Sequence, residues 1–132
     1  MTTLTLRWSE TAVGSPRRSG LVTGVLWTLQ ILSAAMFLFA GGLKLAGAPA
    51  MVQLFGAIGV GQWFRYLTGT IEVVSAALLL IPSLAAYGAA ALVVTMIGAI
   101  VTHLFIVGGS PAIPIVLLAS TATIAWVRRS RR

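Results

Sequence analysis

Two stretches of this chain carry almost no ionisable group, and they decide what it can fold into. Between Arg18 and Lys44 lie 25 residues without a charge, and between Glu72 and Arg128 lie 55, broken only by His103. A helix crosses the hydrocarbon core of a bilayer with about 20 mostly apolar residues, so these runs hold several crossings. Charged residues make up 8% of the chain and hydrophobic ones 58%, against about 25% charged in an average soluble domain. The chain is built for lipid. At this length it forms one small domain, whose helices must supply one another with a core.

Turn chemistry divides the runs. Residues 1–20 are polar, include Pro16 and two glycines and show no sustained apolar face, which predicts a disordered basic tail. The apolar run that follows continues to Leu43, too long for the core of a cleaved signal, so a first span is expected over about 21–45, with Pro49 just beyond it. The next segment is apolar but broken by glycines and Pro49, and it brings Trp63, Phe64 and Tyr66 together. That pattern predicts a short interfacial helix with an aromatic belt at its exit. Further spans are expected over about 63–81, 84–107 and 112–127, separated by Pro82-Ser83 and by the turn from Gly108 to Pro114. The expected architecture is all-α, an integral membrane four-helix bundle occupying residues 21–127, with a second basic tail at 128–132.

Charge placement gives the orientation. Arg7, Arg17 and Arg18 precede the first span and Arg128, Arg129, Arg131 and Arg132 follow the last, whereas the first loop is flanked only by Lys44 and Arg65. Basic residues concentrate on the cytoplasmic side. Both termini are therefore expected in the cytoplasm, and an even number of spans likewise puts them on one side. The net charge of +7 is thereby explained by topology, and nucleic acid is not an expected partner. Without cysteine there is no disulfide or thiol chemistry, and with one histidine and two acids no metal site is expected. The absence of Asp rules out a Ser-His-Asp set.

The candidate site lies in what remains. Four ionisable residues sit between the basic tails: Lys44, Arg65, Glu72 and His103. Glu72 follows Trp63 by nine residues, about 13 Å of helix, and His103 precedes the outer end of its span by about 6 Å. All four thus fall in the outer half of the bundle, although they come from three spans. Arg65, Thr68, Gly69, Glu72, Ser75 and Ala76 recur at helical spacing, as do Gln30, Ser33, Phe37, Ala40, Gly41 and Lys44. Small residues such as Ala40, Gly41 and Gly69 let helices approach closely in lipid, so both stripes are expected to face inward. A carboxylate at this depth needs a partner or a proton. Pairing of Glu72 with Lys44 or with Arg65 is one reading, and a working proton or ligand group is the other. For Lys44 and Arg65 the simpler role is an interface anchor, and for His103 a neutral imidazole bonded near the interface.

The segment FLFAGGLKL, with Ala40, Gly41 and Lys44 as A-G-x-x-K, followed by Gly69-Thr70-Ile71-Glu72 as G-x-x-E, resembles the DoxX-like membrane proteins. The resemblance covers about residues 21–132 and implies a bacterial inner-membrane protein of four helices. Some members of that family are subunits of thiosulfate:quinone oxidoreductase, and others are linked to membrane redox complexes. Carried over by position, Lys44 and Glu72 are the family-like polar residues, and His103 matches less closely. What the resemblance implies is an accessory or subunit of a quinone-linked complex rather than a stand-alone enzyme, with a quinone as cofactor and a redox protein or a second copy as partner. Two other functions compete with it. One is a small proton-coupled multidrug-type transporter using Glu72, and the other is a membrane scaffold without chemistry.

Overall fold

A computed structural model describes residues 16–130, with side chains from Gly20 onward. Five helices follow in order: α1 (Pro16–Ala46), α2 (Pro49–Ile58), α3 (Gln62–Leu79), α4 (Ala85–Thr102) and α5 (Ala112–Ser130). A single π-helical turn, His103–Val107, extends α4. There is no strand among the described residues. The expected tail at residues 1–15 and the last two arginines lie outside the described residues. Residues 16–20, expected as part of that tail, belong instead to the first turn of α1. Proline at a helix start gives up an N–H that would have no intrahelical partner anyway, so Pro16 opens the helix instead of breaking it.

Three segments are long and apolar enough to cross a membrane: Gly20–Ala46, Ala85–Val107 and Ala112–Ser130. Between the first two lies the short apolar α2, as the glycine and proline pattern predicts. The helix α3 falls outside that group because Gln62, Arg65 and Glu72 lower its hydropathy. The four longer helices contact one another in a closed ring, α1 against α3, α3 against α4, α4 against α5 and α5 against α1. Phe37, Leu79, Leu92 and Ile124, one from each, are fully buried at its centre.

The outside of this ring is the reverse of a soluble surface. Val94, Phe105 and Trp126 are each at least 70% exposed, with many more large apolar side chains around them, far beyond the patch size a soluble monomer tolerates. Most threonine hydroxyls on these helices are satisfied within the protein. Thr28, Thr70, Thr95, Thr102 and Thr123 each donate to the carbonyl four residues back, at 2.7–2.9 Å. Lipid offers no partner for such a group, so the side chain must find one on its own helix.

Close approach between helices depends on glycine. A Cβ on Gly88 of α4 would sit 2.7 Å from the Ser75 carbonyl and 2.8 Å from the Leu78 Cβ, both on α3. On Gly98 of the same helix it would meet nothing within 4 Å. Gly88→Leu is therefore expected to destabilise the protein in detergent by about 1–3 kcal/mol, the usual cost of overpacking. Gly98→Leu should leave thermal unfolding unchanged. Equal unfolding temperatures for the two variants would contradict this account of the α3–α4 contact.

Candidate functional site

The site begins at the crossing of α1 and α3. A Cβ on Gly41 would lie 2.8 Å from Val73 Cγ2, 2.9 Å from the Gly69 carbonyl and 3.2 Å from Glu72 Cβ. On Gly69 it would lie 3.0 Å from Lys44 Cβ and 3.1 Å from the Gly41 carbonyl. Each glycine thus seats against the other's backbone, and any side chain at either would push the helices apart. One turn beyond Gly41 is Lys44, and three residues beyond Gly69 is Glu72. The backbone contact brings their side chains together, and Lys44 Nζ donates to Glu72 Oε2 at 3.1 Å. The Glu72 side chain is 3% exposed and that of Lys44 is 13%.

Arg65 completes the cluster from the first turn of α3. It is buried, not extended outward as an interface anchor would be. Its guanidinium donates through Nη1 to the Lys44 carbonyl and through Nε to Gln62 Oε1 at 2.7 Å, and it lies 4.3 Å from the centre of the Tyr66 ring. The Lys44 carbonyl is among the last of α1, where helical carbonyls have no partner ahead of them. A cation there also meets the negative end of the helix dipole. The chain leaves α1 through Gly47 at φ +75, with Gly47 N–H donating to the Lys44 carbonyl at 3.3 Å and Ala48 N–H to the Leu43 carbonyl at 3.1 Å. This paired reversal needs a left-handed residue, which glycine adopts without strain. Pro49 then starts α2.

The structure joins Lys44, Glu72 and Arg65 by direct bonds. His103 begins the π-helical turn, is half-buried, and has Nδ1 2.9 Å from the Ala99 carbonyl of its own helix. That turn packs against α2. Ala40 is half-buried beside Gly41 on α1.

Sequence reasoning missed a second polar layer at the opposite end of the ring. Gln30 of α1 is fully buried; its Nε2 donates to the Leu79 carbonyl at 2.6 Å, and its Oε1 accepts from Arg128 Nε at 2.9 Å. The Arg128 guanidinium lies 5.2 Å from the Trp27 ring centre. One amide therefore ties the ends of α3 and α5 to α1. Its helical spacing puts Gln30 on the inward face, but nothing in a run of four closely spaced arginines distinguishes Arg128. Gln62, which also donates to the Val52 carbonyl of α2 at 3.1 Å, gives no sequence signal of its own.

Comparison with known proteins adds one positive finding. The sequence profile of the DoxX-like family matches residues 28–126, a span that holds both polar layers apart from Trp27 and Arg128. No curated protein and no solved structure matches the chain.

The two charges of the central pair depend on each other. Removing one partner of a buried pair leaves the other uncompensated and costs about 3–5 kcal/mol, whereas replacing both with apolar groups is often neutral. Lys44→Met alone should therefore lower stability in detergent by about 3 kcal/mol, and Lys44→Met with Glu72→Leu should restore most of it. Additive losses in the double variant would show that the two side chains do not act as a pair.

Proposed function

The chain belongs to the DoxX-like family, and on that premise we propose that it is a subunit or accessory of a quinone-linked redox complex in the bacterial inner membrane. In this reading α3 is the fourth crossing, and the protein is a four-helix membrane bundle with both termini cytoplasmic. The side chains of α3 support that reading. Its buried face carries Arg65, Glu72 and Ser75, while Trp63, Tyr66, Leu67 and Val74 are exposed. Polar groups inside and apolar ones outside suit a helix in lipid, where only protein can satisfy a polar group.

The observation that carries the functional reading is the Lys44–Glu72 pair at 3.1 Å beside the buried Arg65. An ammonium has three N–H donors, and Lys44 keeps part of its side chain accessible while Glu72 holds it in place. A quinone headgroup presents carbonyl oxygens, which accept hydrogen bonds. Donation from Lys44 to such an oxygen would hold the ring at the outer end of α1, with Glu72 able to take or return a proton across the same contact. His103 lies on a third helix toward the same end and is proposed as a further proton group.

A second reading keeps the same pair as a static lock between α1 and α3, favoured by how tightly Gly41 and Gly69 close the crossing. Binding of short-chain ubiquinone and menaquinone analogues to purified protein in detergent separates the two. The quinone reading predicts saturable binding by the wild type, weakened about tenfold or more in the folded Lys44→Met, Glu72→Leu double variant, as loss of a charged hydrogen bond implies. Absence of saturable binding by the wild type would leave the lock.

A further inference from the structure

A groove of about 620 Å³ runs between α4 and α5, on the ring's outer surface and away from the Lys44–Glu72 pair. Its walls are small or short, with Ala90 and Val94 on one side and Ala122 on the other. Tyr87, Trp126 and Arg129 line its end nearest the basic terminus. All three are exposed, and they lie at the end of the ring where Gln30 meets Arg128.

We propose that this groove is a binding site for an anionic phospholipid, with one acyl chain along the alanine-lined wall and the phosphate at Arg129. Three observations meet here. From Tyr87 to Val94 the groove follows seven residues of α4, about 10 Å at the helical rise, which is less than half of a hydrocarbon core of about 30 Å and so lies within one leaflet. At this end, Tyr87 and Trp126 are side chains whose mixed polar and apolar character suits the headgroup level. Beside them Arg129 carries a positive charge, in a terminal run with Arg128, Arg131 and Arg132, and clustered basic residues next to a crossing attract anionic headgroups. An apolar trough that ends in a cation matches a lipid with an apolar tail and a negative head. A second copy of the chain would bring its own like-charged terminus to the same place if it packed in parallel.

The inference needs only a membrane location and is independent of quinone binding. Full-length protein, stripped of lipid in detergent and titrated with dioleoyl phosphatidylglycerol or dioleoyl phosphatidylcholine, tests it by native mass spectrometry. The wild type is expected to retain phosphatidylglycerol about fivefold more than phosphatidylcholine, the discrimination that one arginine near an anionic headgroup supplies. Arg129→Gln should remove that preference. Ala90→Leu, which fills the groove, should lower retention of both lipids, whereas Ala35→Leu on the exposed face of α1 should change neither. Ala122→Leu repeats the filling from α5, in case the α4 variant fails to fold. Equal retention of the two lipids by the wild type, or retention indifferent to both groove variants, overturns the proposal. So does a lipid-free dimer that Ala90→Leu dissociates, since the occupant would then be a second chain.

Discussion

The contact between Gly41 and Gly69 sets the distance between α1 and α3, and the polar chemistry of this protein follows from that distance. Without side chains at these two positions the helices meet backbone to backbone. Lys44 and Glu72 are carried into bonding range on the next turn. In lipid this matters more than in water, because no hydrophobic force draws helices together and association rests on packing and interhelical bonds. The glycines provide the first and make the second geometrically available. Arg65 then joins the end of α1 to the start of α3 by donating to the Lys44 carbonyl, so the same layer closes both a helix terminus and a helix pair.

A second layer does comparable work at the other end. Gln30 reaches the last turn of α3 and the last turn of α5 at once. It adds α5, which the first layer does not touch. Gln30 and Lys44 are fourteen residues apart on α1, about 21 Å along the axis, and the stretch between them packs through Ala34 and Phe37 against the apolar core. The ring is thus pinned near both ends by polar groups and filled between them by apolar ones. That distribution leaves most of its outer surface to large apolar side chains.

Much of this was legible in the chain because lipid imposes simple rules. Long charge-free runs announce crossings, and the prolines and glycines around Pro49, Pro82 and Gly108 mark where the chain turns. The inward faces of α1 and α3 could be read from the spacing of Gln30, Ser33 and Phe37 and of Arg65, Gly69 and Glu72, since a polar side chain within a membrane has few places to go. Less legible was which cation Glu72 meets. Lys44 and Arg65 both lie near it in depth, and the choice depends on rotation about the helix axes, which the Gly41–Gly69 contact decides. The start of α1 at Pro16 was obscured because proline ends most helical patterns yet is favoured in a first turn. Arg128 was hidden among like neighbours, and its bond to Gln30 and its place over the Trp27 ring distinguish it.

Lys44 and Glu72 form a charged pair within an apolar helix ring. Infrared spectroscopy of the reconstituted protein addresses it directly, because the chain has only two acidic side chains, Glu10 and Glu72, and a difference spectrum against Glu72→Gln isolates one of them. An ionised carboxylate band is expected for Glu72 at neutral pH, replaced by a protonated carboxyl band in Lys44→Met. A protonated Glu72 in the wild type, or a carboxylate indifferent to the loss of Lys44, would contradict it.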